Sequence, residues 1–396
     1  MSNGFRSSTA RAPFHLLIKP IGAKCNLRCD YCYYLEKEKL YPNRHSFRMT
    51  NETLKSLTKQ YIESQPPGTI DVNFAWQGGE PTLMGIEFFR QAIRYQEQFS
   101  RPELNISNSL QTNGTLLDDN WGVFLKEHKF LVGISVDGPM KLHDRLRRTK
   151  SGEGSFNLVK QGIEVLRRHG VEHNFLCTIN SYNVDHPQKV YKALKGLGAE
   201  HIQFIPIVVH DLFKSGKNHR RSSHGVRVSE LSVQATQYGN FFNAVFDVWH
   251  KNDMGKVFVQ NFERVLGTIM GAASTVCTQA STCGQNLAIE HDGTIFSCDH
   301  FVYPEFKLGQ LQDTPLVKIV DSNRQVEFGQ AKKDNLCNSC KECSFLKFCH
   351  GDCPALRISK VKQEKYRLSY LCEGNKLFFQ HSGARMMRIA RSIQMR

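Results

Sequence analysis

No run of about 18 apolar residues occurs in the chain, which excludes a membrane-spanning helix. Met1 to Pro13 is polar and small and lacks the apolar centre of a secretion signal, so the protein is expected in the cytoplasm. No internal repeat or low-complexity segment is found, which sets aside solenoids and flexible linkers. Acidic residues are in short supply: 37 Asp+Glu stand against 52 Lys+Arg, a net charge of +15. The surplus is spread along the chain, a pattern that fits a solvated basic surface better than nucleic-acid binding.

What is present is a chain of 396 residues, 40% hydrophobic, with a mean hydropathy of −0.41. That is long enough for a full-sized core and a smaller second domain. Thirteen cysteines are its most unusual feature. A secreted chain would pair them as disulfides, whereas a cytosolic one uses them as metal ligands or catalytic thiols. Without a secretion signal, the metal reading prevails. Clusters also alter the charge, because a four-iron, four-sulfur core held by four thiolates is about −2 overall. The basic surface that remains suits an acidic electron donor.

From Phe14 to about Pro206, strand-like runs alternate with helical ones. Strands are expected at Phe14–Pro20, Ile70–Gln77, Ile106–Gln111, Phe130–Val136, Glu172–Ile179 and His201–Pro206. Helices are expected at Asn51–Ser64, Glu87–Phe99, Asp118–Glu127, Phe156–His169 and Pro187–Gly196. In Phe156–His169 the apolar face is read as Leu158, Gly162, Val165 and Leu166. Six such strands imply a parallel sheet, either doubly wound or an open, partial barrel; pattern alone does not separate the two. His210–Glu230, with Lys214, Lys217, His219, Arg220 and Arg221, reads as a basic surface loop. Leu231–Lys251 and Val257–Met270 read as helices, and Asn375–Arg396 as a closing basic helix. After Ala272, cysteines are dense and regular structure is short.

The strongest motif is Cys25-Asn26-Leu27-Arg28-Cys29-Asp30-Tyr31-Cys32, directly after the first strand. Three thiolates on one short loop hold three irons of a four-iron, four-sulfur cube and leave the fourth iron without a protein ligand. An amine and a carboxylate of a small molecule can chelate that open iron. The alternative is zinc, which needs a fourth ligand; His45 is the candidate, in a distant polar loop. Gln77-Gly78-Gly79-Glu80-Pro81 closes the second strand, where two glycines allow a ligand close to the backbone and Glu80 can fix the chain. The fourth strand ends at Gly133-Ile134-Ser135-Val136-Asp137-Gly138-Pro139, with Asp144-Arg145-Leu146-Arg147 following. Arg147 offers a planar guanidinium to a carboxylate, or else an ion pair to Asp144 at the surface.

The cysteine motif with its aromatic Tyr31 resembles the radical S-adenosylmethionine superfamily. The resemblance implies an α/β fold, a partial (β/α)6 TIM-like barrel, with the site at the C-terminal ends of the strands. It implies that Cys25, Cys29 and Cys32 hold the cluster. Tyr31 flanks the adenine, and Gly78, Gly79 and Glu80 receive the methionine amino group. Ser135 hydrogen-bonds the cofactor, Arg147 takes its carboxylate, and Val208, in Phe204–Val208, packs under the adenine. Gln111-Thr112-Asn113-Gly114 is expected to line the same pocket.

The C-terminal cysteines resemble the SPASM domain, which implies two auxiliary four-iron, four-sulfur clusters and three in all. The first would take Cys277, Cys283, Cys298 and Cys353; the second Cys340, Cys343, Cys349 and Cys372. Cys337 is left spare, although a Cys337–Cys340 pair is the alternative, and Cys177 reads as a core residue of the fifth strand. The implied partition is a barrel at 14–235, a helical linker at 236–272, the auxiliary-cluster domain at 273–375 and a terminal helix at 376–396.

Trp76–Leu83, Gln111–Gly114, Asp137-Gly138-Pro139 and Cys298-Asp299-His300 narrow the resemblance to anaerobic sulfatase-maturating enzymes. These oxidise a serine or cysteine of a sulfatase polypeptide to formylglycine. The resemblance implies S-adenosylmethionine as cofactor and a flavodoxin- or ferredoxin-type electron donor. Asp299 is the expected general base, Tyr34 and Gln77 the expected peptide contacts, and His300 a structural neighbour. Another SPASM peptide-modifying enzyme, forming thioether or carbon–carbon crosslinks, is the alternative.

Overall fold

The computed structural model describes residues 9–42, 46–210, 226–274 and 276–395. His45 and the basic residues Lys214, Lys217, His219, Arg220 and Arg221 lie outside the described residues.

Six strands form the sheet's centre: β1 (His15–Lys19), β2 (Asp71–Trp76), β3 (Asn105–Thr112), β4 (Leu131–Ser135), β5 (His173–Ile179) and β6 (His201–Pro206). All five neighbouring pairs are parallel. Between them run α1 (Asn51–Glu63), α2 (Ile86–Phe99), α3 (Asp119–Glu127), α4 (Met140–Leu146), α5 (Phe156–Arg168) and α6 (Pro187–Gly196). Helix starts follow local chemistry. Thr50 caps α1 by accepting from Thr53 N–H at 3.2 Å, and Asp118 caps α3 by accepting from Trp121 N–H at 2.9 Å. Leu16 and Ile18 of β1, and Val72, Phe74 and Trp76 of β2, alternate into the core. The short α4 was not expected from the sequence. In α5 the expected Gly162, Val165 and Leu166 are buried, with Val159 and Ile163 beside them, while the expected Leu158 is exposed.

The chain from 235 to 395 adds to both edges of the sheet. The segment expected as a helical linker holds α7 (Ala235–Asn252), the two-residue β7 (Phe258–Val259) and α8 (Gln260–Ile269). β7 pairs parallel to β6, so this segment extends the sheet. At the opposite side, β8 (Asn286–Glu290) pairs parallel to β1, from His15 opposite Asn286 to Lys19 opposite Glu290. β9 (Thr294–Phe296) and β10 (Lys307–Gln310) follow antiparallel. The sheet order is therefore β10-β9-β8-β1-β2-β3-β4-β5-β6-β7. Short helices carry the remaining cysteine-rich chain: α9 (Leu316–Val320), α10 (Asn323–Asp334), α11 (Asn338–Lys341) and α12 (Leu346–Cys349). The last helix, α13 (Cys372–Gln394), begins at the final cysteine. It packs on α7 and α8 through Phe378, whose ring centroid lies 5.6 Å from those of both Phe242 and Phe262. None of the described helices is long and apolar enough to cross a membrane.

Candidate active site

Parallel strands deliver their C-terminal ends to one side of the sheet, and the loops there carry the chemistry. After β1 the chain turns into the cysteine loop. Gly79 N–H donates to Gly22 O at 2.8 Å and Glu80 N–H to Lys24 O at 2.9 Å. A Cβ at Gly79 would lie 1.9 Å from Lys24 O, so only glycine lets the β2 loop press against the cysteine loop. From the other side, Arg28 N–H donates to Arg148 O at 2.8 Å and Asp30 N–H to Leu146 O at 3.0 Å. Leu27 N–H and Asn113 Nδ2 donate to Cys25 Sγ at 3.3 and 3.7 Å.

Burial pushes the Cys25 thiol up to about 11 and the Cys29 thiol up to about 12, and it raises Cys32 as well. The charge of Cys32 raises both of the others, so the three thiols stand within each other's field. Any metal taken up by these thiols would have to displace their protons. Among the described residues, no group of three or more His, Cys, Asp or Glu side chains is arranged to hold a single metal ion. A cube instead spreads its thiolates over separate irons.

Glu80 is fully buried and its carboxylate is saturated by protein donors. It accepts from Thr82 N–H at 3.0 Å, Thr82 Oγ1 at 2.7 Å, Thr112 Oγ1 at 2.7 Å and Asn113 N–H at 2.7 Å. Glu80 thus ties the β2 loop to the end of β3, which accounts for a carboxylate there without a ligand. Ser135 Oγ accepts from Gln111 Nε2 at 3.1 Å. Arg147 is buried and donates through Nε to Asp137 at 2.9 Å. The sequence alternative of a surface pair with Asp144 is corrected: Asp144 accepts from Phe156 N–H at 2.8 Å and starts α5. Tyr31 donates to the same Asp137 oxygen, while Thr178 N–H donates to the other at 3.0 Å. Burial acts to raise the Asp137 carboxyl, but Arg147 leads the charges and hydrogen bonds that hold it below the usual range. Val208 is half-buried against the main core, and Gln77 is half-buried with its N–H on Ile18 O at 2.9 Å.

The C-terminal cysteines gather in two groups that interleave along the chain. Burial first raises the thiols of Cys283, Cys298 and Cys353, Asp352 adds to the rise at Cys353, and the charge of Cys277 raises all three. The buried Lys332 ammonium donates to the carbonyls of Cys277, Thr278 (3.0 Å) and Ala280 (2.5 Å), which clips the Cys277 turn to α10. Arg357 donates to Gly351 O at 2.9 Å and His350 O at 3.0 Å, bracing the loop between Cys349 and Cys353. The second group, Cys340, Cys343, Cys349 and Cys372, lines one cavity with Phe345 and Phe379. Cys337 is buried beside it, packed with Cys340. Cys177 is wholly buried within β5.

Asp299, one residue past Cys298, is buried and ion-paired with Lys19. Tyr33, one residue past Cys32, donates its hydroxyl to Asp299 at 2.6 Å. Burial works to raise Asp299, yet Lys19, His300 and Tyr33 together hold it below the usual carboxylate range. These partners favour the ionised form of the carboxyl. Tyr34, expected at the peptide, is buried and donates its hydroxyl to Glu290. Its neighbour Tyr33 is 41% exposed and stacks on His300 at 5.7 Å.

Comparison with known proteins agrees with this geometry. Residues 20–194 match the radical SAM superfamily model, and residues 277–344 match the SPASM iron–sulfur cluster-binding domain. The chain is 41% identical over 372 residues to a serine-type anaerobic sulfatase-maturating enzyme of Bacteroides thetaiotaomicron, covering 93% of this chain and 89% of that one. The chain belongs to the anaerobic sulfatase-maturating enzyme family. A cysteine-type member from Clostridium perfringens is 34% identical over 387 residues, covering 96% of this chain and all of that one (100%). The solved structure of native anSMEcpe with bound AdoMet and Cp18Cys peptide superposes with a TM-score of 0.83 at 33% identity, covering 96% of this chain and 99% of that one.

Several residues of this family member escaped the sequence reading. Lys19, Tyr33 and His143 touch the site or its supports and belong to none of the motifs, and Asp137 stands in a strand-end motif that assigns it no role of its own. Lys19 was detectable only as a charge at the end of an apolar strand, a residue type seldom buried without a partner.

Proposed function

We propose that this chain oxidises a serine or cysteine side chain of a sulfatase polypeptide to Cα-formylglycine, with S-adenosylmethionine and three four-iron, four-sulfur clusters. One observation carries the reading. Tyr33, beside cysteine-loop residue Cys32, meets Asp299, beside Cys298, at 2.6 Å. The radical-generating loop, a buried ionised carboxylate and an auxiliary-cluster loop therefore converge on one point. When bound, S-adenosylmethionine and its cluster supply a hydrogen-abstracting radical, and the auxiliary clusters take up the electron then released.

The protein's own groups do the rest. Cys25, Cys29 and Cys32 hold the first cluster and leave one iron open. Backbone at Gly78 and Gly79 would receive the methionine amino group, Arg147, fixed by Asp137, its carboxylate, and Ser135 would hydrogen-bond the cofactor. Tyr31 and Val208 bracket the adenine. Asp299 accepts the proton from the substrate hydroxyl or thiol, and Gln77 contacts the peptide. Cys277, Cys283, Cys298 and Cys353 hold one auxiliary cluster, and Cys340, Cys343, Cys349 and Cys372 the other. All thirteen cysteines are free of disulfides, in keeping with a reducing, cytoplasmic setting. The net charge of +15 favours an acidic flavodoxin- or ferredoxin-type donor.

The test is to reconstitute the enzyme anaerobically, reduce it and incubate it with peptides carrying Ser-x-Pro-x-Arg or Cys-x-Pro-x-Arg. The serine peptide should lose two hydrogens in mass; the cysteine peptide should also exchange sulfur for oxygen. If both peptides come through unaltered while 5′-deoxyadenosine accumulates, the substrate assignment fails.

A further inference from the structure

Lys19 has no place in the reading above, yet it is one of the most completely buried charges in the molecule, at 1% exposure. It closes β1, and the strand register sets it opposite Glu290 of β8. Its ammonium pairs with Asp299 and lies 4.4 Å from the centre of the Tyr34 ring. A Cβ placed on Gly78 would stand 3.3 Å from the Lys19 Cδ, so the loop proposed to meet the cofactor lies directly along its stem. Lys19 therefore spans from the cofactor loop to the carboxylate.

The second donor to Asp299 comes from a different element. Tyr33 belongs to the cysteine loop, stacks on His300 at 5.7 Å and reaches Asp299 at 2.6 Å. A carboxylate held by a lysine and a tyrosine from two separate elements has little rotational freedom. We propose that Lys19 and Tyr33 are positioning residues that clamp Asp299 in the orientation needed to take the substrate proton, and that this clamp sets how much of the radical chemistry ends in product.

The logic is one of timing. Hydrogen abstraction by the cofactor radical does not use Asp299. Completing the oxidation requires the substrate to give up one proton and one electron after that abstraction, and the proton goes to the carboxylate. A carboxylate aimed elsewhere leaves the substrate radical waiting until it takes one electron from the reductant that drives cofactor cleavage and one proton from solvent, which returns unmodified peptide while the 5′-deoxyadenosine stays formed. Removing the clamp thus leaves cofactor cleavage intact and lowers product formed per cleavage. A displacement of about 1 Å in such a group costs on the order of 100-fold in rate.

The proposal rests on the maturase reading, and the experiment separates the two. Wild-type holoenzyme, Lys19→Met and Tyr33→Phe are compared with the serine and cysteine peptides. For each, 5′-deoxyadenosine and formylglycine are quantified in the same reaction. Peptide affinity is measured on the unreduced holoenzyme, where no turnover occurs. If wild type modifies neither peptide, the maturase reading itself is lost. Given wild-type turnover, both variants should bind peptide within about 3-fold of wild type while the ratio of formylglycine to 5′-deoxyadenosine falls about 10-fold or more. Tyr33→Phe keeps the ring on His300 and removes only the hydroxyl, so it tests the clamp even where Lys19→Met fails to fold. An unchanged ratio in Tyr33→Phe, or a parallel loss of cleavage and product in a folded Lys19→Met, overturns the proposal.

Discussion

Arg147 donates through Nε to Asp137 at 2.9 Å, with side chains 9% and 0% exposed. The pair joins the segment after α4 to the end of β4. Through Tyr31, which donates to the same carboxylate, it also reaches the cysteine loop. Asp137 is thereby the support for two groups assigned to the cofactor. Asp137→Asn leaves the guanidinium buried without its counter-charge and should cost about 3–5 kcal/mol of stability. A denaturant midpoint equal to that of wild type would show that the pair carries no such weight.

Gly79 is the point where the β2 loop touches the cysteine loop. Gly79→Ala drives a methyl group into Lys24 O and should push the two loops apart. The expected outcome is loss of the first cluster alone, with iron falling from about twelve to about eight atoms per chain. Cofactor cleavage should vanish with it. Full iron content in this variant would mean that the loops tolerate separation.

Lys332 holds three carbonyls of the Cys277 turn. Lys332→Met strands those acceptors and should loosen the group of cysteines around Cys277. Iron should again fall by about four atoms per chain, but here slow cofactor cleavage without peptide should persist, because the first cysteine loop is untouched. Loss of that cleavage would contradict the separation of the two sites.

His143 makes the fold sensitive to acid. Its Nδ1 accepts from Asp137 N–H at 3.2 Å and its Nε2 faces Ser155 Oγ at 3.0 Å, which fixes a neutral ring. Burial lowers its pKa to about 3. In the unfolded chain a histidine titrates near 6.5, so between about pH 6.5 and about pH 3 the unfolded state binds the extra proton. Its contribution is complete above that window and is lost as pH falls through it, amounting to about 2 kcal/mol by about pH 5. Unfolding midpoints measured against pH should flatten over this range in His143→Gln; an identical slope would point to other groups.

Much of the molecule could be read without coordinates. The six central strands and five of the helices lie within a residue or two of the runs chosen from apolar periodicity, because the pattern of two or of 3.6 residues is written locally. The short α4 was missed because seven residues span too few turns to show a face. In α5 the buried stripe runs through Val159 and Ile163, and Leu158 sits at its edge, a distinction that depends on which way the helix lies on the sheet.

The cysteine spacing and the strand–helix order belong to the sequence itself, since a loop with three thiols needs only neighbours along the chain. Tertiary structure alone decided the partners: Arg147 with Asp137, Tyr33 with Asp299, and Lys19 between the first strand and a residue 280 positions later. The physical reason is register. When β8 aligns on β1 with Glu290 opposite Lys19, it carries Cys298 and Asp299 to the mouth of the site, and no periodicity within either strand states that alignment.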